Sequence, residues 1–179
     1  MKFAHLITAL VLVLAGLVTN QLSHAPHPAA RILPAIASPT PDDGRFTVAK
    51  VVDGDTIELD TGEKVRYIGI NTPETVDPHR PTQCFGHEAS EYNHNLVQGH
   101  RVELISDVSN TDKFGRLLRY VYLEDGTEVN LKLVSDGYAY AIAYPPDTAQ
   151  KSALDQAQHQ AQTAGRGLWS TCSTQLRHD

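Results

Sequence analysis

Residues 51–59 read VVDGDTIEL, in which two short runs of β-forming residues flank an Asp-Gly pair. Asp-Gly is a common way to turn a chain between two antiparallel strands. A second acidic residue, Asp55, follows this turn at once, whereas the later pair Asp125-Gly126 is followed by Thr127. The stretch therefore predicts a hairpin, and Asp55 is a candidate ligand for a cation at the edge of that hairpin.

Beyond residue 44, apolar and polar residues alternate in several short segments, as they do in half-buried strands. Strands are predicted over residues 45–52, 56–59, 64–70, 101–106 and 116–123, and residues 138–144 alternate again. Helices are predicted from residue 86 or 87 to about 98, over 129–136, and from a cap at Asp147 to about 164. This order predicts an α+β, mainly β fold, a five-stranded OB-fold barrel with three α-helices. Such barrels carry many functions, so function must be argued from side chains.

The predicted barrel domain covers residues 44–172, and the chain continues on both sides of it. Residues 1–25 carry one positive charge at Lys2, an apolar run and small polar residues, which is the pattern of a signal peptide; an uncleaved N-terminal anchor would look similar. Residues 26–43 are rich in proline and alanine and are predicted to be a linker, and residues 173–179 a short tail. The protein is therefore expected to be exported, secreted or periplasmic, and to be held at a membrane only if the N-terminal segment is uncleaved.

Two cysteines and an acidic balance constrain the function further. The cysteines are Cys84 and Cys172, and the net charge is −6. In an exported protein an even number of cysteines favours a disulfide, and two buried thiols are the alternative. An acidic chain has no overall attraction for a polyanion, so any binding of nucleic acid must be local or mediated by a metal ion.

Three polar clusters carry side chains suited to phosphate chemistry. They are residues 53–56, Arg66 together with residues 71–74, and residues 111–116. Carboxylate, amide and carbonyl oxygens can bind a hard cation such as Ca²⁺. Two arginines can hold phosphate oxygens and neutralise the charge that builds up during attack, while a separate carboxylate orients or deprotonates a water molecule. These parts suit the hydrolysis of a phosphodiester, provided that the three clusters converge in space.

The motifs VVDGDTIEL, VRYIGINTPET and TDKFGR, in this order, strongly resemble the staphylococcal nuclease (thermonuclease) family. The resemblance covers about residues 46–170 and includes GLW at residues 167–169. It implies an OB barrel with three helices and Ca²⁺-dependent hydrolysis of DNA and RNA. The partner that it implies is the nucleic acid substrate; no stable protein partner is implied, and a monomer is expected.

The resemblance also implies a set of metal ligands. Asp55 resembles the family's carboxylate ligand, and Thr72 resembles the residue whose backbone carbonyl binds the ion. Asn71 stands where the best-known member has an aspartate ligand, so its amide keeps an oxygen but removes one negative charge. Weaker Ca²⁺ affinity is therefore expected. Asp53 is expected to support the turn rather than to bind the ion.

The remaining matched positions concern the reaction and the substrate. Glu74 resembles the residue that positions or deprotonates the attacking water, and Arg66 and Arg116 resemble the pair that grips the scissile phosphate. Lys113 resembles a residue that contacts a terminal phosphate of the bound nucleotide, and Tyr144 resembles, on a looser alignment, a tyrosine that stacks on the nucleotide.

A non-catalytic OB-fold module that binds nucleic acid or protein is the alternative to a nuclease. A stacking platform needs exposed aromatic side chains beside a basic groove, whereas this chain is acidic and its tyrosines can equally belong to the core. A decayed nuclease would be expected to lack an arginine or the glutamate of the reaction, and all three are present. The sequence therefore favours the enzyme. Phe114, which stands where a tyrosine is often found, removes one possible hydrogen bond to a phosphate.

Overall fold

The computed structural model describes residues 44–75 and 82–172. The predicted signal peptide, linker and C-terminal tail lie outside these residues. Among the described residues, no helix has both the length and the apolar character that crossing a membrane requires.

Five strands close into a barrel, and two very short strands pair separately. The strands are β1 (Arg45–Val51), β2 (Thr56–Leu59), β3 (Lys64–Tyr67), β4 (Ile70–Asn71), β5 (Arg101–Ile105), β6 (Leu117–Leu123) and β7 (Tyr140–Ala141). The order in the barrel is β1-β2-β3-β6-β5, and β4 pairs with β7. All pairs in the barrel are antiparallel except β3 with β6, which is parallel. The predicted five-stranded, mainly β barrel is confirmed.

The helices follow the predicted order, with one addition. They are α1 (Gly86–Val97), α2 (Val129–Ser135), α3 (Lys151–Thr163) and α4 (Leu168–Thr171). The first three are the predicted helices, and α4 is a single turn formed within the segment that contains the GLW sequence.

The inward faces of the strands supply the core of the barrel. Ile57 and Leu59 alternate with the half-buried Glu58 along β2, and Val48 and Val65 from the neighbouring strands are fully buried beside them. Burying an aliphatic side chain of this size stabilises a fold by about 1.5–3 kcal/mol. The period-two pattern that predicted the strands is therefore also the pattern that builds the core.

Residues 64–70 form two strands instead of the one predicted. β3 ends at Tyr67, Gly69 has a φ of +77°, and β4 begins at Ile70. Glycine tolerates this conformation because it has no Cβ, and the bend breaks the extended strand. Beyond the bend, Asn71 leaves the barrel sheet and pairs with Tyr140.

A buried asparagine on α2 supports this bend. The Asn130 side chain is fully buried, and its Nδ2 donates to the backbone oxygens of Ile68 and Arg119 at 2.9 and 3.2 Å. Its Oδ1 accepts from the backbone nitrogen of Val121 at 3.0 Å. Buried backbone groups need partners, and the asparagine supplies them where the strand breaks.

The strand at residues 138–144 is shorter than the alternation of the sequence predicts. Only Tyr140 and Ala141 form β7, because their partner β4 is itself two residues long. Beyond β7, the backbone nitrogen of Ile142 donates to Gly69, and a turn closes between Tyr144 and Asp147.

The prediction that Asp147 caps the last helix is wrong. α3 begins at Lys151, with Gln150 at its N-cap. The buried Asp147 carboxylate instead accepts a hydrogen bond from the backbone nitrogen of Ser109 at 2.7 Å. A contact between distant residues therefore uses a carboxylate that local preference assigns to a helix start.

Cys84 and Cys172 form the predicted disulfide, with their Cα atoms 6.0 Å apart. Cys84 lies two residues before α1, and Cys172 directly follows α4. The bond joins positions 88 residues apart, so it ties the end of the described chain to its first half.

Replacing both cysteines with serine should lower the free energy of unfolding by about 4–5 kcal/mol, because the unfolded chain regains the entropy that the long closed loop removes. Urea denaturation of the oxidised wild type and of Cys84→Ser/Cys172→Ser measures this difference. Adding a reductant should destabilise only the wild type. A loss of stability below about 1 kcal/mol would contradict the entropic account of the bond.

Candidate functional site

The three polar clusters of the sequence meet around one cavity of about 220 Å³. The strand register explains the convergence, because Thr56 of β2 pairs with Arg66 of β3, and Arg66 pairs with Leu118 of β6. Leu117, the first residue of β6, pairs with Val65 of β3, so Arg116, directly before β6, lies near the same strands. The cavity is lined by Asp53, Asp55, Arg66, Asn71, Thr72, Pro73, Glu74 and Arg116.

Asp55 accepts several hydrogen bonds within this cavity. Its carboxylate is nearly inaccessible to solvent, and its Oδ2 accepts from the backbone nitrogen and the hydroxyl of Thr72 at 2.8 and 3.1 Å. Arg66 Nη2 lies 3.1 Å from the same oxygen, and the Thr56 hydroxyl donates to Oδ1 at 3.2 Å. These contacts satisfy a buried charge that would otherwise be costly.

The two Asp-Gly turns need their glycines for different reasons. Gly126 has a φ of +85° and open space around it, so it serves the turn conformation. At Gly54, by contrast, a Cβ would lie 2.6 Å from the Thr72 hydroxyl oxygen. Gly54 therefore allows the close approach of Thr72 that its hydrogen bonds to Asp55 require.

Asp53 supports the turn, and a buried asparagine on α1 fixes its position. Asp53 Oδ1 accepts from the backbone nitrogen of Asp55 at 3.0 Å. Burial, and next the Asp55 carboxylate, raise the pKa of Asp53 to about 6. The fully buried Asn93 donates to the Asp53 carbonyl at 3.0 Å and accepts from the Tyr67 hydroxyl at 3.1 Å. The turn is thereby attached to both α1 and β3.

Asn71 bridges Arg66 and Thr72. Its amide oxygen accepts from Arg66 Nη2 at 3.0 Å, and its Nδ2 donates to the Thr72 carbonyl at 3.3 Å. The amide therefore directs a donor at the carbonyl that is predicted to bind a cation. An aspartate at this position would have no such donor.

Arg116 is held in place by a carboxylate four residues earlier in the chain. Its Nε and Nη2 each lie 2.7 Å from Asp112 Oδ2, and its Nη1 lies 3.5 Å from the Thr56 hydroxyl. Burial acts to raise the pKa of Asp112, but the hydrogen bonds from Arg116 and Phe114 outweigh it and hold that pKa below 3.8. Asp112 therefore stays ionised at neutral pH and keeps the guanidinium oriented.

Glu74 lies half-buried on the same cavity, beyond Pro73. Its carboxylate Oε1 accepts from the backbone nitrogen of Thr75 at 2.9 Å. The structure therefore gathers Asp55, Asn71, Thr72, Glu74 and both arginines around one space.

Lys113 and Tyr144 lie on a second, larger cavity of about 640 Å³, which is also lined by Arg66 and Arg116. Phe114 and Tyr144 present exposed rings here, with 72% and 67% of their surfaces accessible. The Phe114 ring centre lies 5.0 Å from Lys113 Nζ and 5.6 Å from the Arg116 guanidinium carbon. The shared arginines make the two cavities neighbours.

The oxygen-rich donor set of the smaller cavity fits a hard cation. Asp55 offers a carboxylate, Thr72 a carbonyl and Asn71 an amide oxygen, and these are ligand types that Ca²⁺ accepts. Within residues 44–75 and 82–172, no three or more His, Cys, Asp or Glu side chains come together so as to hold a metal ion. An ion here would therefore depend on amide and carbonyl oxygens as well as on Asp55.

Two residues that shape the site have no role in the sequence-based prediction. Asp112 lies within the cluster at residues 111–116, and a carboxylate so close in sequence to Arg116 is a usable signal for an ion pair. Asn93 lies on the buried stripe of α1, four residues from both Ala89 and Val97. A polar residue at such a position indicates a buried hydrogen-bonding role.

Comparisons with known proteins identify the family of this chain. The family described as staphylococcal nuclease homologue matches residues 64–171. Thermonuclease from Staphylococcus intermedius is 41% identical over 127 residues, which are 69% of this chain and 75% of that protein. Thermonuclease from Staphylococcus hyicus is 40% identical over 129 residues, or 70% of this chain and 75% of that protein. Endonuclease YncB from Bacillus subtilis (strain 168) is 36% identical over 129 residues, or 69% of this chain and 61% of that protein.

This chain therefore belongs to the staphylococcal nuclease homologue family. The resemblance predicted from the three sequence motifs is confirmed.

Proposed function

We propose that this protein is a Ca²⁺-dependent endonuclease that hydrolyses phosphodiester bonds of DNA and RNA. Its family includes proteins named thermonuclease and endonuclease, which makes it a nuclease. The observation that carries the finer proposal is the smaller cavity, where two arginines and a glutamate lie with three oxygen donors of the kind that Ca²⁺ takes.

Asp55, Thr72 and Asn71 are the residues that would hold the ion. When bound, Ca²⁺ would supply positive charge that polarises a phosphate oxygen. Asp55 contributes the only full negative charge of this set. The hydrogen bonds from Thr72 to Asp55 fix the distance between the carboxylate and the backbone at residue 72.

Arg66 and Arg116 would grip the scissile phosphate. Each guanidinium carries five N–H donors, so it can keep its contacts to neighbouring carboxylates and still donate to phosphate oxygens. Those contacts, Arg66 to Asp55 and Arg116 to Asp112, fix both guanidinium groups before the substrate arrives. Fixed charges that meet the developing negative charge lower the barrier because they need no reorganisation.

Glu74 would orient and deprotonate the attacking water. Its carboxylate lies on the same cavity as the two arginines, and the hydrogen bond from Thr75 limits its rotation. A carboxylate within reach of a water and of the phosphate is the usual requirement for a general base.

The larger cavity would hold the nucleotide next to the scissile bond. Exposed aromatic rings such as Tyr144 and Phe114 can stack on bases of any sequence, and Lys113 supplies a charge for a phosphate. Nucleic acid can therefore bind through this local group of cationic and aromatic side chains, although the chain has a net charge of −6.

A binding module would use the same aromatic rings but would have no need of Glu74 with both arginines. Their grouping on one cavity therefore favours catalysis. We further propose that the protein is exported by its N-terminal segment, whose charge and apolar run are typical of a signal peptide, and that it acts as a monomer.

The purified protein should cleave single-stranded DNA and RNA with Ca²⁺ and should stop when a chelator is added. Glu74→Gln should slow cleavage by about 10²–10⁴-fold, because the water loses its base. Arg66→Ala should slow it by about 10²–10³-fold, because the phosphate charge loses a fixed donor.

Glu124→Gln and Arg101→Ala are matched controls, since these residues form an ion pair of 3.9 Å and do not line the cavity. Both should cleave at the wild-type rate. No cleavage with any divalent metal would contradict the enzyme. If Glu74→Gln lowers the cleavage rate by less than about tenfold, another group must activate the water.

Asn71→Asp should bind Ca²⁺ more tightly than the wild type. The change adds a negative charge to the ligand set and removes the N–H donor that Asn71 directs at the Thr72 carbonyl. Isothermal titration calorimetry with Ca²⁺ measures the difference. Asn110→Asp, which adds the same charge beside Arg119 and away from the cavity, should leave the affinity unchanged. Equal or weaker binding by Asn71→Asp would count against the ligand assignment.

A further inference from the structure

The backbone of Glu74 forms two hydrogen bonds with one other residue, Gln83. The backbone nitrogen of Glu74 donates to Gln83 Oε1 at 2.9 Å, and the backbone nitrogen of Gln83 donates to the Glu74 carbonyl at 2.9 Å. Both backbone polar groups of Glu74 are thus bonded to the same residue, nine positions later. A pair of opposed hydrogen bonds fixes orientation as well as distance.

The Glu74 carboxylate is bonded to the same stretch of backbone. The carboxylate accepts from the backbone nitrogen of Thr75, which is the next peptide along the chain. Its direction therefore follows the local backbone. If the backbone at residue 74 rotates, the carboxylate moves with it.

Gln83 can fix another residue because its own segment is anchored. Cys84 is bonded to Cys172, and Phe85 keeps a left-handed φ of +68° while its ring centre lies 5.3 Å from that of Tyr138. A residue with a side chain keeps such a φ only where its surroundings impose it. The segment is therefore set by contacts to other parts of the protein.

Gly86 lies directly against the backbone of residues 73 and 74. A Cβ at this position would lie 2.9 Å from the Glu74 carbonyl oxygen and 3.2 Å from the Pro73 carbonyl oxygen. The start of α1 thus rests directly on the backbone of Glu74, and only glycine leaves room for it.

We propose that Gln83 is a positioning residue that holds Glu74 in its reactive orientation, with the Cys84–Cys172 disulfide and Gly86 as its supports. This role rests on the proposed function of Glu74. Gln83 touches neither the smaller nor the larger cavity, so it acts through Glu74 and not on the substrate. Its loss should therefore change the rate of the chemical step and leave substrate binding in place.

Gln83→Met tests the role, because it keeps the length of the side chain and removes the acceptor. Its kcat should fall about tenfold, as expected for one lost positioning hydrogen bond, with KM within about twofold of the wild type. Gln83→Glu restores the acceptor oxygen and should recover most of the rate. Because the Gln83 side chain is exposed, these variants should fold normally, which circular dichroism checks.

Gln98→Met is the matched control. The Gln98 side chain likewise accepts from a backbone nitrogen, that of Val51 at 2.9 Å, and it also donates to the Ala49 carbonyl at 2.7 Å, but both partners lie on β1 and away from the cavity. It should lose stability while the folded protein keeps its kcat. Gly86→Ala is a second route to the same effect and should lower kcat by pushing on the Glu74 carbonyl.

A double-mutant cycle separates positioning from a general structural effect. In the Glu74→Gln background, Gln83→Met should cause no further loss, because the group that it positions is gone. Single-turnover cleavage with enzyme in excess measures all four proteins. An inactive wild type would overturn the proposed function and this role with it. An active wild type with a Gln83→Met rate within about twofold, or with an equal loss in both backgrounds, would overturn the positioning role alone.

Discussion

The rest of this site depends on the hydrogen bonds and the ion pair of the Asp55 carboxylate. This carboxylate joins the turn after β1 to Thr72, 17 residues later, through two hydrogen bonds, and it also pairs with Arg66. A carboxylate this deeply buried is tolerated only because donors surround it. The same oxygens that organise the loops are those that would face a cation. The structural task of Asp55 is visible in these contacts, and the chemical task is the one we propose for it. Gly54 is small, so that Thr72 can reach the carboxylate.

The barrel explains why three separate stretches of sequence form one site. β2, β3 and β6 are neighbours, and the parallel register places Leu117, the first residue of β6, opposite Val65 and therefore next to Arg66. The first cluster leads into β2 and the third into β6, while the second consists of Arg66 on β3 and the residues at the end of β4. The loops then need only short supports, such as Asp112 for Arg116 and Asn93 for the Asp53 turn. Rigid strands with variable loops are a common way to place chemistry on an OB fold.

Much of this could be predicted from the sequence, because strands such as β2 bury every second side chain and so show their period directly. The three motifs named the family, and their residues do meet. Contacts between distant residues were less accessible. Asp147 looks like a helix cap until Ser109 is seen to bind it, and residues 138–144 alternate although β4 offers only a two-residue partner. The hydrogen bonds from Asn71 to Arg66 and Thr72 form beyond the bend at Gly69, and no local sequence pattern predicts that bend.

Asp55 is proposed to supply the charge that holds the ion, and calorimetric titration of Ca²⁺ into Asp55→Asn tests this role. The substitution keeps the size of the side chain and removes its charge, so Ca²⁺ binding should be lost while circular dichroism shows a folded barrel. Asp53→Asn is the matched control: asparagine can make the same turn, and this protein should bind Ca²⁺ nearly as the wild type does. Wild-type affinity in Asp55→Asn would contradict the account.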